Sequence, residues 1–216
     1  MGLLERGPQV AALTEYAADA ARGDGRLVLV SGESGIGKSA LVEELERREP
    51  DAVWAWGACD GLFTPRPLGP LLDIAATLGG DLRSTIRDGR PREEIFQALL
   101  SDLGGCTPYA VLVVEDAHWA DEATLDLLRF VARRIRRTPV LLLVTYRDDE
   151  VPPGHPLRRC LAQLATERST RRLDVPRLST SAVAELARGT GLAPDVLHDL
   201  TGGNPYFVTE LLRGAP

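Results

Sequence analysis

The densest chemistry in this chain lies in Gly32-Glu33-Ser34-Gly35-Ile36-Gly37-Lys38-Ser39. The run fits G-x-x-x-x-G-K-[ST], a spacing that wraps phosphate. Glycines let the backbone curl so that successive N–H groups face an anion. A helix starting at the end of the loop adds its positive pole. The lysine then reaches the β- and γ-phosphates of a nucleotide, and the following hydroxyl ligates Mg²⁺. Composition sharpens the assignment. Of 25 basic residues 24 are Arg; the one Lys is Lys38, and the one Asn is Asn204. In a chain drifted toward Arg and Ala, as a GC-rich coding sequence would drift, both are candidates for work that their substitutes cannot do.

The second constellation is Val111-Leu112-Val113-Val114-Glu115-Asp116. Four apolar residues followed by two acids put carboxylates at the C-terminal end of a buried strand, where open α/β sheets bind ligands. One acid can hold Mg²⁺ and the other can orient or deprotonate an attacking water. The residues alone do not say which does which. A third apolar run ends Val144-Thr145-Tyr146-Arg147-Asp148. If it pairs beside the first strand, Thr145 or Arg147 comes near the γ-phosphate, where an arginine would stabilise developing charge. The competing account is a surface arginine after a strand.

The elements that must position these residues follow from periodicity. Helical spacing over 8–22, with Pro8 in its first turn, ends at Gly23-Asp24-Gly25. Leu27–Val30 is apolar throughout, as a parallel strand buried on both faces should be. A helix is expected over 37–49 and a strand over 52–58. A proline-rich loop follows over 59–70, then helices over 68–78 and 91–103. Strand 111–114, helix 121–137, strand 140–145, helix 156–166 and a weak strand over 173–175 complete an alternating pattern. Beyond Pro176 only short helices are expected, over 180–188, 194–200 and 205–213. The change of pattern places a boundary near Leu178, giving an α/β unit over 1–178 and a smaller helical piece over 179–216. The Arg133, Arg134, Arg136 and Arg137 cluster reads as cations at a helix C-terminus rather than a nucleic-acid surface.

The chain has 216 residues, is 44% hydrophobic and 26% charged, and carries a net charge of −6. That excludes a disordered tail, a collagen-like chain and a disulfide miniprotein. The acidic balance speaks against a DNA-neutralising face. No apolar run is long enough to span a membrane. MGLLERGPQV lacks a basic-then-apolar leader. Cys59, Cys106 and Cys160 have no metal-ligand spacing; buried free thiols in a reducing cytoplasm are the expectation. His155 and His198 read as solvent-facing or structural.

Taken in order, SGESGIGKS, VLVVEDAHWAD, LLLVTYRD and TGGNPYF resemble the signal-transducing ATPases with numerous domains (STAND), a branch of the AAA-like P-loop ATPases. The likeness is greatest to the N-terminal ATPase region of large LuxR-type bacterial transcriptional regulators. The resemblance implies a three-layer α/β sandwich with a parallel sheet in the order 5-1-4-3-2 and a helical lid after the last strand. It implies that Gly32, Glu33, Ser34, Gly35, Ile36, Gly37, Lys38 and Ser39 bind ATP or ADP, with Ser39 and Glu115 on Mg²⁺. Asp116, Glu115 and Arg147 would be catalytic. Arg6, in Leu3-Leu4-Glu5-Arg6, would lie beside the base, and Pro205, in the Gly-Asn-Pro turn, would meet the adenine. Glu115 stands where the family commonly has aspartate, and Glu5 where it has glycine. His118 and Trp119 match an H-W-A-D run; His118 either contacts the nucleotide site or is a hydrogen-bonded structural residue. The implied activity is slow, Mg-dependent ATP hydrolysis that resets a switch. The partners would be effector domains elsewhere in a longer parent chain, with self-association following the nucleotide, and no nucleic-acid contact by this segment. Alternatives are the same module joined to a nucleotide cyclase or kinase, a small-molecule kinase, and a non-hydrolysing nucleotide-binding scaffold.

Overall fold

The computed structural model describes residues 3–62 and 66–214. Pro65, one of the prolines of the expected loop, lies outside them. Five strands form one parallel sheet: β1 (Arg26–Ser31), β2 (Val53–Ala58), β3 (Ala110–Glu115), β4 (Val140–Tyr146) and β5 (Thr170–Asp174). Their order across the sheet is β2-β3-β4-β1-β5, the order expected from the resemblance read from its other edge.

The apolar strands look as they do because both faces are covered. Alternate residues of a strand point to opposite sides. Leu27 and Leu29 of β1 enter one core layer, while Val28 and Val30 enter the other; all four are fully buried. The first layer is closed by α3 (Gly69–Leu78), α4 (Gly80–Arg87), α5 (Arg92–Gly104), α6 (Glu122–Ala132) and α7 (Pro156–Leu164). The second is closed by α1 (Gly7–Ala21) and α2 (Lys38–Arg48). Burying each Leu or Val side chain contributes about 1.5–3 kcal/mol, so the unbroken apolar runs are what hold the sheet between its helices.

Three elements depart from expectation by more than two residues. An additional helix, α4, starts at Gly80 after Gly79, both at positive φ; its single buried residue, Leu82, gives too little periodicity to show in sequence. Asp102 of α5 accepts from the backbone N–H of Leu82 at 2.7 Å, so a distant residue fixes where α4 begins. Helix α6 stops at Ala132, with a separate 3-10 turn over Ile135–Arg137. At its end Arg134 donates to the Phe130 carbonyl at 3.1 Å and covers the Phe130 ring. The last strand starts three residues before its expected position, at Thr170, because pairing with β1 rather than side-chain pattern defines it.

The chain ends in α8 (Thr180–Leu186), α9 (Pro194–Thr201) and α10 (Pro205–Arg213). They share a small apolar cluster of Leu178, Ala182, Val183, Ala187, Leu197 and Val208. Leu4, near the start of the chain, packs on that cluster. Among the described residues no helix is long and apolar enough to cross a membrane.

Candidate functional site

The phosphate loop joins β1 to α2. Gly35 and Gly37 have φ of 73° and 97°, backbone that side chains resist. At Gly35 space also forbids a side chain, since a Cβ would lie 2.6 Å from Cβ of Tyr206. The Lys38 ammonium donates to the carbonyls of Gly32 at 2.7 Å and Glu33 at 2.9 Å. Burial lowers its pKa, against which the Asp116 charge pulls upward. The Ser39 hydroxyl donates to Glu115 Oε1 at 2.5 Å.

Strand pairing brings the other motifs alongside. β4 lies between β1 and β3, with Val30 opposite Thr145 and Val114 opposite Val144. The strand carrying Thr145 and Arg147 is thus next to the one leading into the loop. Asp116 follows β3 in left-handed backbone, φ 52° and ψ 45°, a conformation costing roughly 1–2 kcal/mol in an L-residue. Its N–H is held by Thr145 Oγ1 at 3.1 Å. Arg147 pairs with Glu150 Oε1 at 2.5 Å, which raises its pKa, and lies 3.9 Å from Asp116 Oδ1 and 5.1 Å from the Trp119 ring centre.

The tail braces the loop from the other side. Asn204 caps α10 by accepting from the Tyr206 N–H at 3.1 Å, and its amide donates to the Ser34 carbonyl at 2.8 Å. Arg177 grips the Glu33 carboxylate with Nε at 3.0 Å and a terminal nitrogen at 2.6 Å, and donates to the Gly202 carbonyl at 3.2 Å.

A cleft of about 380 Å³ results, lined by Ser34, Gly35, Lys38, Ser39, Asp116, Arg147 and Pro205 among others. An adjoining apolar pocket of about 220 Å³ shares Gly37, Ala40, Pro205 and Thr209 with it and is closed by Leu3, Leu4, Arg6, Ile36, Leu178 and Leu186. One half suits phosphates and the other a flat, apolar base. Gly32 and Glu33, at the start of the loop, line a separate hollow with Asp174 and Arg177 rather than the cleft. Ile36 is buried in the core. Arg6 is buried as well, its guanidinium donating to the carbonyls of Pro176 at 2.7 Å and Ile36 at 3.3 Å. Glu115 reaches the cleft through Ser39.

Hard oxygen donors suit Mg²⁺, and the Ser39 hydroxyl touching a carboxylate is such a donor pair. These two residues fit the ion.

Residues 2–144 match the family described as the AAA ATPase domain. The chain belongs to that family. It is 27% identical to an uncharacterized protein of Rhizobium meliloti (strain 1021), over 88% of this chain and 23% of that protein. Two solved structures share the AAA-domain fold. A STAND protein with a tetratricopeptide repeat sensor from Pyrococcus horikoshii aligns over 92% of this chain and 29% of its own, with TM-score 0.57 and 19% identity. The Aeropyrum pernix ORC1 protein, solved in complex with DNA, aligns over 98% of this chain and 59% of its own, with TM-score 0.68 and 20% identity. The chain thus spans about a quarter of the length of the first two.

The structure adds Tyr206, Thr209, Glu150 and Trp119 to the site. Thr209 lies four positions after Pro205 on one helix face, a spacing that could have marked it. Trp119 stood in the H-W-A-D run without a role, and Glu150 gave no signal, because an irregular turn brings it in. His118 is buried with neither ring nitrogen hydrogen-bonded among the described residues. His155 caps α7, its Nδ1 accepting from the Leu157 N–H at 3.2 Å. Cys59 and Cys160 are buried and free; Cys106 is free but only half-buried.

Proposed function

We propose that this AAA-type ATPase domain binds Mg·ATP and hydrolyses it slowly, as the switch module of a bacterial signalling protein or transcriptional regulator of the LuxR type. The observation that carries the reading is the convergence of Lys38, Ser39, Asp116 and Arg147 on one cleft that continues into an apolar pocket. Lys38 would exchange its two loop carbonyls for β- and γ-phosphate oxygens. Ser39 and Glu115 would hold Mg²⁺, which supplies charge neutralisation on the phosphates. Asp116 would orient water against the γ-phosphate and Arg147 would stabilise charge developing there. Pro205 and the apolar pocket would take the adenine, while Arg6 holds the pocket's floor. Residues from 179 onward would be the start of a lid whose position follows the nucleotide. Effector domains and any self-association would belong to a longer parent chain.

Calorimetry with Mg·ATP, followed by phosphate release under single-turnover conditions, tests this. Lys38→Ala should weaken ATP binding about ten- to hundred-fold, the loss of one or two charge-assisted hydrogen bonds, with unchanged circular dichroism. Unchanged affinity would reject the phosphate-loop role. Binding without any turnover would leave the non-hydrolysing scaffold.

A further inference from the structure

His118 is a buried polar side chain that the proposed reaction does not use. It lies in the 3-10 turn Ala117–Trp119, with 1% of its side chain exposed and its ring against Trp119 at 4.6 Å. Two carboxylates face it: Glu150 Oε2 lies 3.5 Å from Nε2, and Asp116 Oδ1 lies 3.8 Å from Nδ1. A buried ring nitrogen left unpaired is costly, so a small shift that closes the nearer contact is favourable. Glu150 is itself the ion-pair partner of Arg147. The carboxylate is partly exposed, whereas His118 is locked by the core. A rigid buried donor therefore stands behind a flexible carboxylate, which stands behind the arginine aimed at the cleft.

We propose that His118 is a positioning residue: its Nε2–H holds the Glu150 carboxylate, which in turn aims Arg147 at the γ-phosphate. The proposal rests on the γ-phosphate role of Arg147 given above. A neutral imidazole carries one N–H. Burial lowers the pKa of His118 against the pull of Asp116 and Glu150, with Arg147 and Lys38 also lowering it; the ring is thus neutral and serves one carboxylate. Glu150 is the nearer one. Asp116 has its place fixed otherwise, through the backbone bond to Thr145. The relay needs no bond to substrate, so its loss should leave base and phosphate-loop binding intact and disturb only what Arg147 does.

The test uses His118→Leu, His118→Gln, His118→Asn and Glu150→Ala in the intact chain. A glutamine amide nitrogen falls near the position of Nε2, and an asparagine amide nitrogen near that of Nδ1. The leucine variant should keep its ADP affinity within about two-fold, lose the preference for ATP over ADP, and lower kcat about ten- to hundred-fold, the cost of a catalytic group misplaced by about 1 Å. Glutamine should restore both quantities to within a few-fold and asparagine should not. The Leu and Ala changes combined should cost no more than either alone, since they break one chain of contacts. Rescue by asparagine instead of glutamine, additive losses, or a leucine variant with normal kcat and normal ATP preference would overturn the relay. If the wild-type chain binds ATP yet never hydrolyses it, the ATPase reading falls, and the ATP-over-ADP preference of the same variants still decides for or against the relay.

Discussion

Glu115 and Asp116 are neighbours in the chain with the same charge, yet the backbone gives them different surroundings. Glu115 ends β3 in extended geometry and meets the Ser39 hydroxyl. Asp116 turns into the left-handed region, and Thr145 holds it there. Glu115→Gln should therefore raise the Mg²⁺ concentration needed for half-maximal turnover while leaving kcat at saturating Mg²⁺ little changed. Asp116→Asn should bind Mg·ATP nearly normally and lose roughly 10²–10⁴-fold in turnover, the usual share of a general base. Mg²⁺ titrations of both variants check this, and the reverse pattern would exchange the two roles. Sequence shows the pair but not the assignment, because a positive φ at an aspartate is imposed by the fold around it. Arg147 illustrates the same limit. Its place beside the first strand follows from strand order, but its grip on Glu150 comes from an irregular turn that no periodicity encodes.

At the scale of elements, the start of α10 has two jobs that one turn performs. Asn204 caps the helix and also donates to the phosphate loop, while Pro205 in the first turn lines both halves of the cleft. Asn204→Ala should therefore cost at least the roughly 0.5–2 kcal/mol of a lost cap. Pro205→Ala is the cleaner probe of the proposed base pocket. It should weaken ATP and ADP alike, since both carry adenine, and leave tripolyphosphate binding unchanged. Competition titrations with the three ligands measure it; equal affinities of wild type and variant throughout would reduce the turn to a helix cap. The start of this helix was legible because Asn followed by Pro suits a helix N-terminus. The buried strands were legible because four apolar residues in a row bounded by turn residues allow little else. Helix α4 was not, because it is specified by Asp102 from another helix.

Across the whole molecule, the cleft draws on residues from Leu3 to Thr209, so its integrity depends on the entire described chain. The three cysteines report on that integrity from different depths. Burial pushes the Cys59 thiol up to about 12 and the Cys160 thiol up to about 11, while Cys106 is half-buried and raised less far. Thiolate is the reacting form. At pH 8 a thiol reagent should modify Cys106 first. Cys59 and Cys160 should react only as fast as the core opens, and more slowly still with Mg·ATP bound, because a ligand that binds only the folded state suppresses opening. Mass spectrometry of the labelled chain over time checks the order. Rapid native labelling of Cys59 would show that the sheet's nucleotide edge is looser than its packing implies.

Trp119 gives the cleft a light signal of its own. Of the three tryptophans, Trp54 and Trp56 stack on each other along β2 and donate to the far end of α2, at Glu49 and Glu46. Trp119 alone is tied to the cleft, partly exposed, with the guanidinium of the cleft residue Arg147 above its indole and Gly61 against its ring. If a terminal phosphate draws Arg147 toward itself, as proposed above, the charge over that indole departs and the emission of Trp119 should change. With Trp54 and Trp56 each replaced by Phe, the chain becomes its own fluorometer, following arrival and loss of the terminal phosphate in real time without an attached dye.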